Sequence, residues 1–327
     1  MQTPTAGEYS CRLMRRRHRS YPNASADHLG LAAVSDAAPS RLKIAIIGCG
    51  RVGAVLGAAW FRAGHRIVGV TARSDTSRLR AEALIPHAPI VQPEEATREA
   101  DLVLVSVPDR VLPELVAELA HQGTLSAGQF VVHPAGRFGL GVLEPAASLG
   151  AVPLAIHPAL PLTGTSLDVN RLAGAAFGVT APEPVRSVAE ALVVEIGGEP
   201  VWIPEQARAG YHAALAFAAN YAMTLVNESV ALLEASGAED PGRILGPLVR
   251  ASVETALERG DRGQTGPITR ADSPTIDAHL EYFEQSSPLA AQAYRALGKL
   301  TVDRLLAAGV LDTTGASSVL KSLEVPR

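Results

Sequence analysis

Short apolar runs alternate with longer helix-like segments through the first two thirds of the chain. The runs are rich in aliphatic and β-branched residues and, apart from one run of two, are four to seven residues long, as in strands buried on both faces of a parallel sheet. Strands are predicted at residues 42–47, 67–70, 90–91, 101–107, 129–132, 152–156, 175–180 and 200–203. This alternation predicts an α/β fold with a doubly wound parallel sheet and helices on both faces.

The pattern changes after Ile203, where strand-like runs stop and helical spacing takes over. A long helix is predicted from Glu205 to Ala235 and ends at Gly237. Three more helices follow, beginning at Asp240-Pro241, Ser273-Pro274 and Pro288, because a polar cap followed by proline favours a helix start. We therefore expect an all-helical second domain, in which the apolar stretch 213–233 is buried.

Composition excludes several classes of function. Hydrophobic residues make up 47% of the 327 residues and charged residues 19%, which is typical of a globular protein. The net charge of −4 and the 4% of aromatic residues argue against a nucleic-acid surface. Cys11 and Cys49 cannot form a disulfide framework, which favours the cytoplasm. We predict no membrane span and no metal site.

A glycine-rich turn separates the first strand from the helix that begins near Arg51. It reads Gly48-Cys49-Gly50-Arg51-Val52-Gly53. In such a turn glycines allow a tight bend, a close approach of main-chain N–H groups to a pyrophosphate, and close helix–strand packing. A glycine-rich turn that binds nothing is the alternative, but the strand before and the helix after it favour a dinucleotide site.

The end of the second strand indicates which dinucleotide is bound. An NAD site has an acidic residue there, but this chain has Arg73 and Ser74, with Arg78 one turn later. A guanidinium can bind a 2′-phosphate bidentately and the hydroxyl can add a hydrogen bond, so NADP(H) is favoured. The end of a further strand, Ser106-Val107-Pro108, is expected to border the same cofactor.

Candidate catalytic residues lie at two strand ends and on the long helix. His133 and His157 each follow a predicted strand, and a histidine is a suitable proton donor for a carbonyl. Each could instead simply bond the backbone. Asn220 lies among apolar residues, so its amide should need a partner, either a substrate or another helix.

Candidate substrate-binding residues are Arg270, Thr265 and His212. Arg270 lies in the loop 265–272, where a guanidinium could hold a substrate carboxylate. Thr265 begins the same loop, and His212 lies on the long helix. Asp272 could orient Arg270, but capping the following helix is the simpler role.

Together these motifs resemble the Rossmann-like, DUF2520-containing proteins, over about residues 42–306. The motifs that carry the resemblance are the 48–53 turn, Arg73-Ser74, His133 with Gly136, His157-Pro158, Tyr211-His212 with Asn220, and Gly266-Pro267-Ile268 with Arg270, Asp272, Thr275 and His279-Leu280. The family is similar to pyrroline-5-carboxylate reductase and 6-phosphogluconate dehydrogenase, which implies a nucleotide domain followed by a helical one. Some members resemble a divergent class of ketopantoate reductase.

The chain departs from the family pattern at several positions. Pro134 and Ala135 stand where hydroxyl residues follow the first histidine, and Ala271 stands where glycine is usual. Related β-hydroxyacid dehydrogenases have a lysine four residues before the asparagine, where this chain has Ala216. A lysine that acts as the general acid is therefore excluded at that position.

The sequence thus leads to three functional hypotheses. The first is an NADPH-dependent reductase of a small 2-oxo acid, with 2-dehydropantoate (ketopantoate) as the substrate that the resemblance implies. The others are an imine reductase of the pyrroline-5-carboxylate type and a non-catalytic NADPH-binding sensor. We expect a disordered tail over 1–40, a nucleotide domain over 41–203, a helical substrate and dimerisation domain over 204–312 that forms a homodimer, and a flexible tail over 313–327.

Overall fold

A computed structural model describes residues 41–324 of the chain. These residues belong to two compact units that divide between Ala219 and Asn220. We call residues 41–219 the sheet unit and residues 220–324 the helical unit. The division lies 16 residues after the boundary predicted at Ile203. The tail predicted over 1–40 lies outside the described residues.

The sheet unit contains seven strands in the order β2-β1-β3-β4-β5-β6-β7. Their bounds are β1 Lys43–Ile47, β2 Arg66–Val70, β3 Leu102–Val105, β4 Phe130–His133, β5 Val152–Pro158, β6 Ala176–Thr180 and β7 Glu199–Trp202. Strands β1 to β5 are parallel, whereas β6 is antiparallel to β5 and β7 is parallel to β6. The doubly wound α/β fold is confirmed. Because β1 has β2 on one side and β3 on the other, the chain changes direction across the sheet at β1, where such folds bind ligands.

Residues 90–91, predicted as a strand, form only an isolated bridge between Ile90 and Val70. The run cannot lengthen because Gln92 already caps a helix that starts at Pro93. Proline is favoured at the first position of a helix but cannot donate to a sheet, so the strand ends here.

Helices cover both faces of the sheet. They are α1 Arg51–Arg62, α2 Asp75–Leu84, α3 Pro93–Arg98, α4 Leu112–His121, α5 Glu144–Ala147, α6 Ser166–Arg171 and α7 Arg186–Val194. Alternate residues of β1 enter different apolar layers: Ile44 and Ile46 face one layer, and Ala45 and Ile47 face the other. This burial on both faces explains the continuous apolar run in the sequence.

The remaining helices are α8 Arg208–Ala235, α9 Pro241–Arg259, α10 Ser273–Ser286, α11 Pro288–Ala307 and α12 Thr313–Ser322. The first four match the predicted helices. The flexible tail predicted over 313–327 is wrong for α12, which Asp312 caps by accepting the Gly315 N–H at 2.7 Å. Val319 and Leu323 of this region are fully buried, so their apolar contacts hold the segment in place.

The prediction that residues 213–233 form a buried helix is half right. The helix is present, but Arg208 is the only buried residue of α8 in the described chain. The apolar composition of a helix indicates that it favours burial. It does not show whether the residues that bury the helix belong to the same chain or to another one. Among the described residues, no helix is both long and apolar enough to cross a membrane.

Candidate functional site

The glycine turn between β1 and α1 is packed where glycine is required. Gly48 has a φ of +97°, and a Cβ there would collide with the carbonyl oxygen of Ser106 after β3. A Cβ on Gly53 would collide with the carbonyl oxygen of Gly48. The structure therefore brings the turn and the end of β3 together, as the sequence predicted for Ser106.

Gly50 differs from its neighbours because it faces open space. A Cβ added there meets no atom within 4 Å. Gly50 also caps α1 without a side-chain hydrogen bond, so the first main-chain N–H groups of the helix are available to an anion. The turn thus combines tight packing underneath with an open helix N-terminus above, and this geometry fits a pyrophosphate.

Cys49 lies inside the turn and is fully buried. Its main-chain N–H donates to the Thr71 carbonyl oxygen at 2.8 Å, which ties the turn to the end of β2. Burial raises the pKa of the Cys49 thiol to about 11, so the thiol is neutral at physiological pH. Cys49 therefore packs the turn, and because its N–H already bonds Thr71, its role in binding a cofactor stays a prediction.

A cavity of about 570 Å³ lies at the end of β2. Arg73 and Arg78 line it and are exposed, so both guanidinium groups can reach a phosphate. Ser74, predicted to assist them, caps α2 instead: its hydroxyl accepts the Ser77 N–H at 3.2 Å. Arg73 and Arg78 thus line one cavity, and their role as ligands of a 2′-phosphate stays a prediction.

Arg80 is a cation near the glycine turn that the sequence reasoning did not select. Its Nε would be 2.5 Å from a Cβ placed on Gly164, and that Cβ would be 3.1 Å from the α-carbon of Arg51. Its charge also lowers the pKa of the nearby Cys49 thiol, in opposition to the effect of burial. The only sequence signal was its place two residues after Arg78.

His133 is fully buried at the end of β4, and the backbone uses both of its ring nitrogens. Nε2 donates to the Gly139 carbonyl oxygen at 2.8 Å, and Nδ1 accepts the Ala135 N–H at 3.2 Å. Burial lowers the pKa of His133 to about 4, so the ring is neutral. This geometry favours the backbone role over the proton-donor role, since no ring nitrogen remains for a substrate.

His157, by contrast, lies near the end of β5 with one nitrogen turned away from the backbone. Its Nδ1 is 2.9 Å from the phenol oxygen of Tyr211, and the two rings meet edge to face. His212 packs against the other side at a ring-centroid distance of 5.8 Å. Two predicted site residues, His157 and His212, thus lie in contact, and Tyr211 is hydrogen-bonded to His157.

Arg208 begins α8, the helix that carries Tyr211 and His212. It was not selected as a site residue from the sequence. The guanidinium is buried and donates to three carbonyl oxygens, those of Phe138 at 2.8 Å, Ala135 at 2.9 Å and Gly178 at 3.0 Å. Burial lowers the pKa of Arg208, and the charges of Tyr211 and Glu205 oppose this shift. Arg208 fixes the first turn of α8 against β6 and the loop after β4. The i, i+3 spacing with Tyr211 was the available signal.

Three predicted site residues lie in the helical unit, and their roles stay predictions. Asn220, Thr265 and Arg270 are all exposed. The argument that the Asn220 amide lies in apolar surroundings is therefore wrong for a single chain, because α8 is exposed there. Asp272 caps α10, accepting the Thr275 N–H at 3.2 Å and hydroxyl at 2.7 Å, as the simpler interpretation held.

Two family models match the chain in sequence. The Rossmann-like domain matches residues 29–158, and the domain of unknown function DUF2520 matches residues 175–301. The two matches place a Rossmann-like domain before a DUF2520 domain in this chain. The glycine turn and β1 to β5 lie in the first domain, and β7, α8 and α9 lie in the second. No curated protein matches the chain.

Several solved structures share the fold. A protein from Bacteroides fragilis, provisionally named an NADP oxidoreductase, is 22% identical with a TM-score of 0.70, covering 81% of this chain and 99% of its own. An imine reductase from Pseudomonas sp. is 16% identical with a TM-score of 0.59, covering 87% and 100%. A pyrroline carboxylate reductase from Plasmodium falciparum with NADP bound is 13% identical with a TM-score of 0.51, covering 86% and 98%. At these identities the likeness shows the fold alone.

Proposed function

We propose that this Rossmann-like DUF2520 protein is an NADPH-dependent reductase of a small carbonyl compound. The observation that supports it most is the glycine turn at the switch point of the sheet, which leaves the N-terminus of α1 open. This turn adjoins the end of β2, where Arg73 and Arg78 line a cavity. The provisional name of the Bacteroides fragilis protein and the NADP bound to the Plasmodium falciparum enzyme agree with this proposal.

The cofactor residues act by position and charge. Main-chain N–H groups at residues 50–53 receive the pyrophosphate, and Arg73 and Arg78 recognise the 2′-phosphate. Ser106, Val107 and Pro108 border the cofactor from the end of β3. When bound, NADPH supplies a hydride to the substrate carbon.

His157 supports the reaction on the substrate side. It lies on a parallel strand whose carboxyl end is on the same edge of the sheet as the glycine turn. Its Nε2 does not share the hydrogen bond to Tyr211, so this atom can donate to a substrate oxygen. We place His157, and not His133, next to the reacting carbonyl.

A small 2-oxo acid is the substrate class we favour, with 2-dehydropantoate as the first compound to test. The resemblance to divergent ketopantoate reductases supports this choice. A cyclic imine is the second candidate, because solved structures with this fold include an imine reductase and a pyrroline carboxylate reductase.

The direct test is NADPH oxidation against a panel of 2-oxo acids and cyclic imines. The proposal expects turnover with a 2-oxo acid, and turnover with imines alone would favour the second candidate. The Gly50→Ala variant should fold, since its Cβ meets nothing within 4 Å, yet it should lose NADPH binding because the Cβ enters the pyrophosphate space. Gly242→Ala, whose Cβ also makes only an ordinary contact, is the matched control.

NADPH binding without turnover of any compound would remove the reductase and leave the sensor hypothesis. Absence of NADPH binding by the wild-type protein would remove both.

A further inference from the structure

Tyr211 reaches His157 across the β5–β6 ladder. His157 pairs with Gly178 in this ladder, and a Cβ on Gly178 would be 2.5 Å from the Tyr211 phenol oxygen. Because glycine leaves that space open, the phenol ring lies over β6 and places its oxygen 2.9 Å from His157 Nδ1. The contact therefore depends on a glycine at this one strand position.

The opposite nitrogen of His157 faces a second glycine. A Cβ on Gly136 would be 2.9 Å from His157 Nε2 and would also strike the ring of His212. Because Gly136 has no side chain, the His212 ring and His157 Nε2 can both lie close to its backbone. The Tyr211 phenol is hydrogen-bonded to Nδ1 of the imidazole, and among the described residues Nε2 has no hydrogen-bond partner.

The surroundings of Tyr211 hold its proton in the resting protein, but two of its neighbours stabilise the phenolate. Arg208 lies one helical turn before it, with the guanidinium carbon 5.7 Å from the centre of the phenol ring. The Arg208 charge and a backbone hydrogen bond from Gly178 both favour the phenolate, although burial has the larger effect and raises the pKa of Tyr211. The phenol is therefore protonated in the resting protein, with a cation and a donor beside it when the proton leaves.

We propose that Tyr211 is the source of the proton consumed in the reduction and that His157 passes it to the substrate. This inference rests on the proposed function. As the carbonyl carbon gains the hydride, the oxygen takes the proton of His157 Nε2, and His157 Nδ1 takes the phenolic proton of Tyr211. The imidazole is again neutral and Tyr211 becomes a phenolate beside Arg208. After the product leaves, the Nδ1 proton returns to the Tyr211 oxygen and Nε2 takes a proton from solvent, which restores the starting state.

His157 alone cannot supply this proton at neutral pH. Burial, with smaller contributions from the charges of Arg208, His212 and His133, lowers the pKa of His157 to about 4. A neutral imidazole that gave up its Nε2 proton would become an anion unless Nδ1 were filled at the same time. Tyr211 is hydrogen-bonded at Nδ1 and can supply that proton.

The relay also indicates the substrate class. A carbonyl oxygen needs a proton when the carbon is reduced, whereas an iminium ion needs none. A tyrosine–histidine relay supplies the proton that a ketone or aldehyde needs, and a preformed iminium ion would not use it. The inference therefore favours the 2-oxo acid as the substrate.

The test compares pH–rate profiles of the wild type and Tyr211→Phe, with NADPH affinity measured by fluorescence to check folding. The wild-type rate should be flat from pH 6 to 9. Tyr211→Phe should lose about 100-fold or more at pH 8, the usual contribution of a general acid, and recover as the pH falls toward 5 and His157 becomes protonated. Tyr294→Phe removes a similar bond, from a phenol to His279 Nδ1 at 3.0 Å, and should match the wild type.

A second measurement does not depend on turnover. Nitrogen NMR of the wild-type protein, with His157→Asn to assign the signal, should show the Nε2–H tautomer of His157 at pH 7. The Nδ1–H tautomer would overturn the relay, because His157 would then donate to Tyr211. A full rate and a flat profile in Tyr211→Phe would also overturn it and leave the proposed reductase intact. If the wild type reduces nothing, the proposed function fails, and the relay fails with it.

Discussion

Ala271 is the only described residue other than glycine with a positive φ, at +53°. The conformation belongs to the loop before α10, where the Asp272 N–H donates to the Pro267 carbonyl oxygen at 2.9 Å. A side chain is unfavourable in this region by about 1 kcal/mol or more. This backbone conformation is one that glycine adopts without strain.

We predict that Ala271→Gly raises the free energy of unfolding by about 1 kcal/mol, because glycine relieves the strain. Chemical denaturation measures this change. Ala278→Gly, at an exposed position inside α10, should instead lower stability by about 1 kcal/mol. An equal loss in both variants would show that Ala271 is not strained.

His133 should make stability depend on pH. Its pKa is lowered to about 4 in the folded protein, so the unfolded chain binds the proton more tightly. The contribution of His133 is complete above pH 6.5 and is lost as the pH falls toward 4, by up to about 3 kcal/mol. Urea unfolding across this range should show a smaller loss for His133→Gln, whereas His121→Gln, at an exposed position, should keep the wild-type slope. The same slope in all three proteins would contradict the assignment.

Single residues differ in how well the sequence predicts them. Gly48 and Gly53 were predictable because a turn and its helix are local, and the Asp272 cap is local too. His133 and His157 looked equivalent in sequence, and only their partners distinguish them. The bond from Tyr211 to His157 joins residues 54 positions apart, so no local pattern reveals it.

At the scale of elements, we propose that the join between β2 and α2 sets the cofactor preference. Arg73 follows the strand and Arg78 lies in the first turns of α2, so both guanidinium groups line one cavity. Each charge-assisted hydrogen bond to a phosphate contributes about 1.5–3 kcal/mol. Loss of one arginine should therefore weaken NADPH binding while leaving NADH nearly unaffected.

Strands and long helices were predicted well because each buries an apolar pattern of its own period. The errors occurred where an element depends on distant contacts. Helix α12 has Ser and Thr at many positions, but Val319 and Leu323 are buried against other helices. Residues 90–91 have the composition of a strand, yet the helix cap at Gln92 leaves no room for one.

For the whole molecule, the exposed apolar surface of the helical unit supports the predicted homodimer. Met223 on α8 and Leu248 and Leu257 on α9 are 64%, 60% and 83% exposed. Beside α8 lies an apolar groove of about 490 Å³, lined by residues that include Leu225 and Phe283. Large exposed apolar side chains and an apolar groove often mark an interface, and we propose that a second copy covers these residues.

We predict that the wild type sediments at twice the 34.1 kDa of one chain. Met223→Glu should sediment as a monomer, because a charge at an apolar interface is unfavourable. Leu79→Glu changes an equally exposed leucine, 65% exposed on α2, and should stay dimeric. A monomeric wild type would contradict the homodimer. The sequence suggested a dimer from apolar composition alone, and it could not show which faces meet.

Calorimetric titration with NADPH and NADH tests the central claim, that the glycine turn and the cavity at the end of β2 bind a phosphorylated dinucleotide. The wild type should bind NADPH at least tenfold more tightly than NADH, and Arg73→Ala should lose most of that difference, whereas Arg98→Ala, at an exposed position in α3, should keep it. No heat with NADPH, or equal affinity for the two dinucleotides in the wild type, would contradict the account.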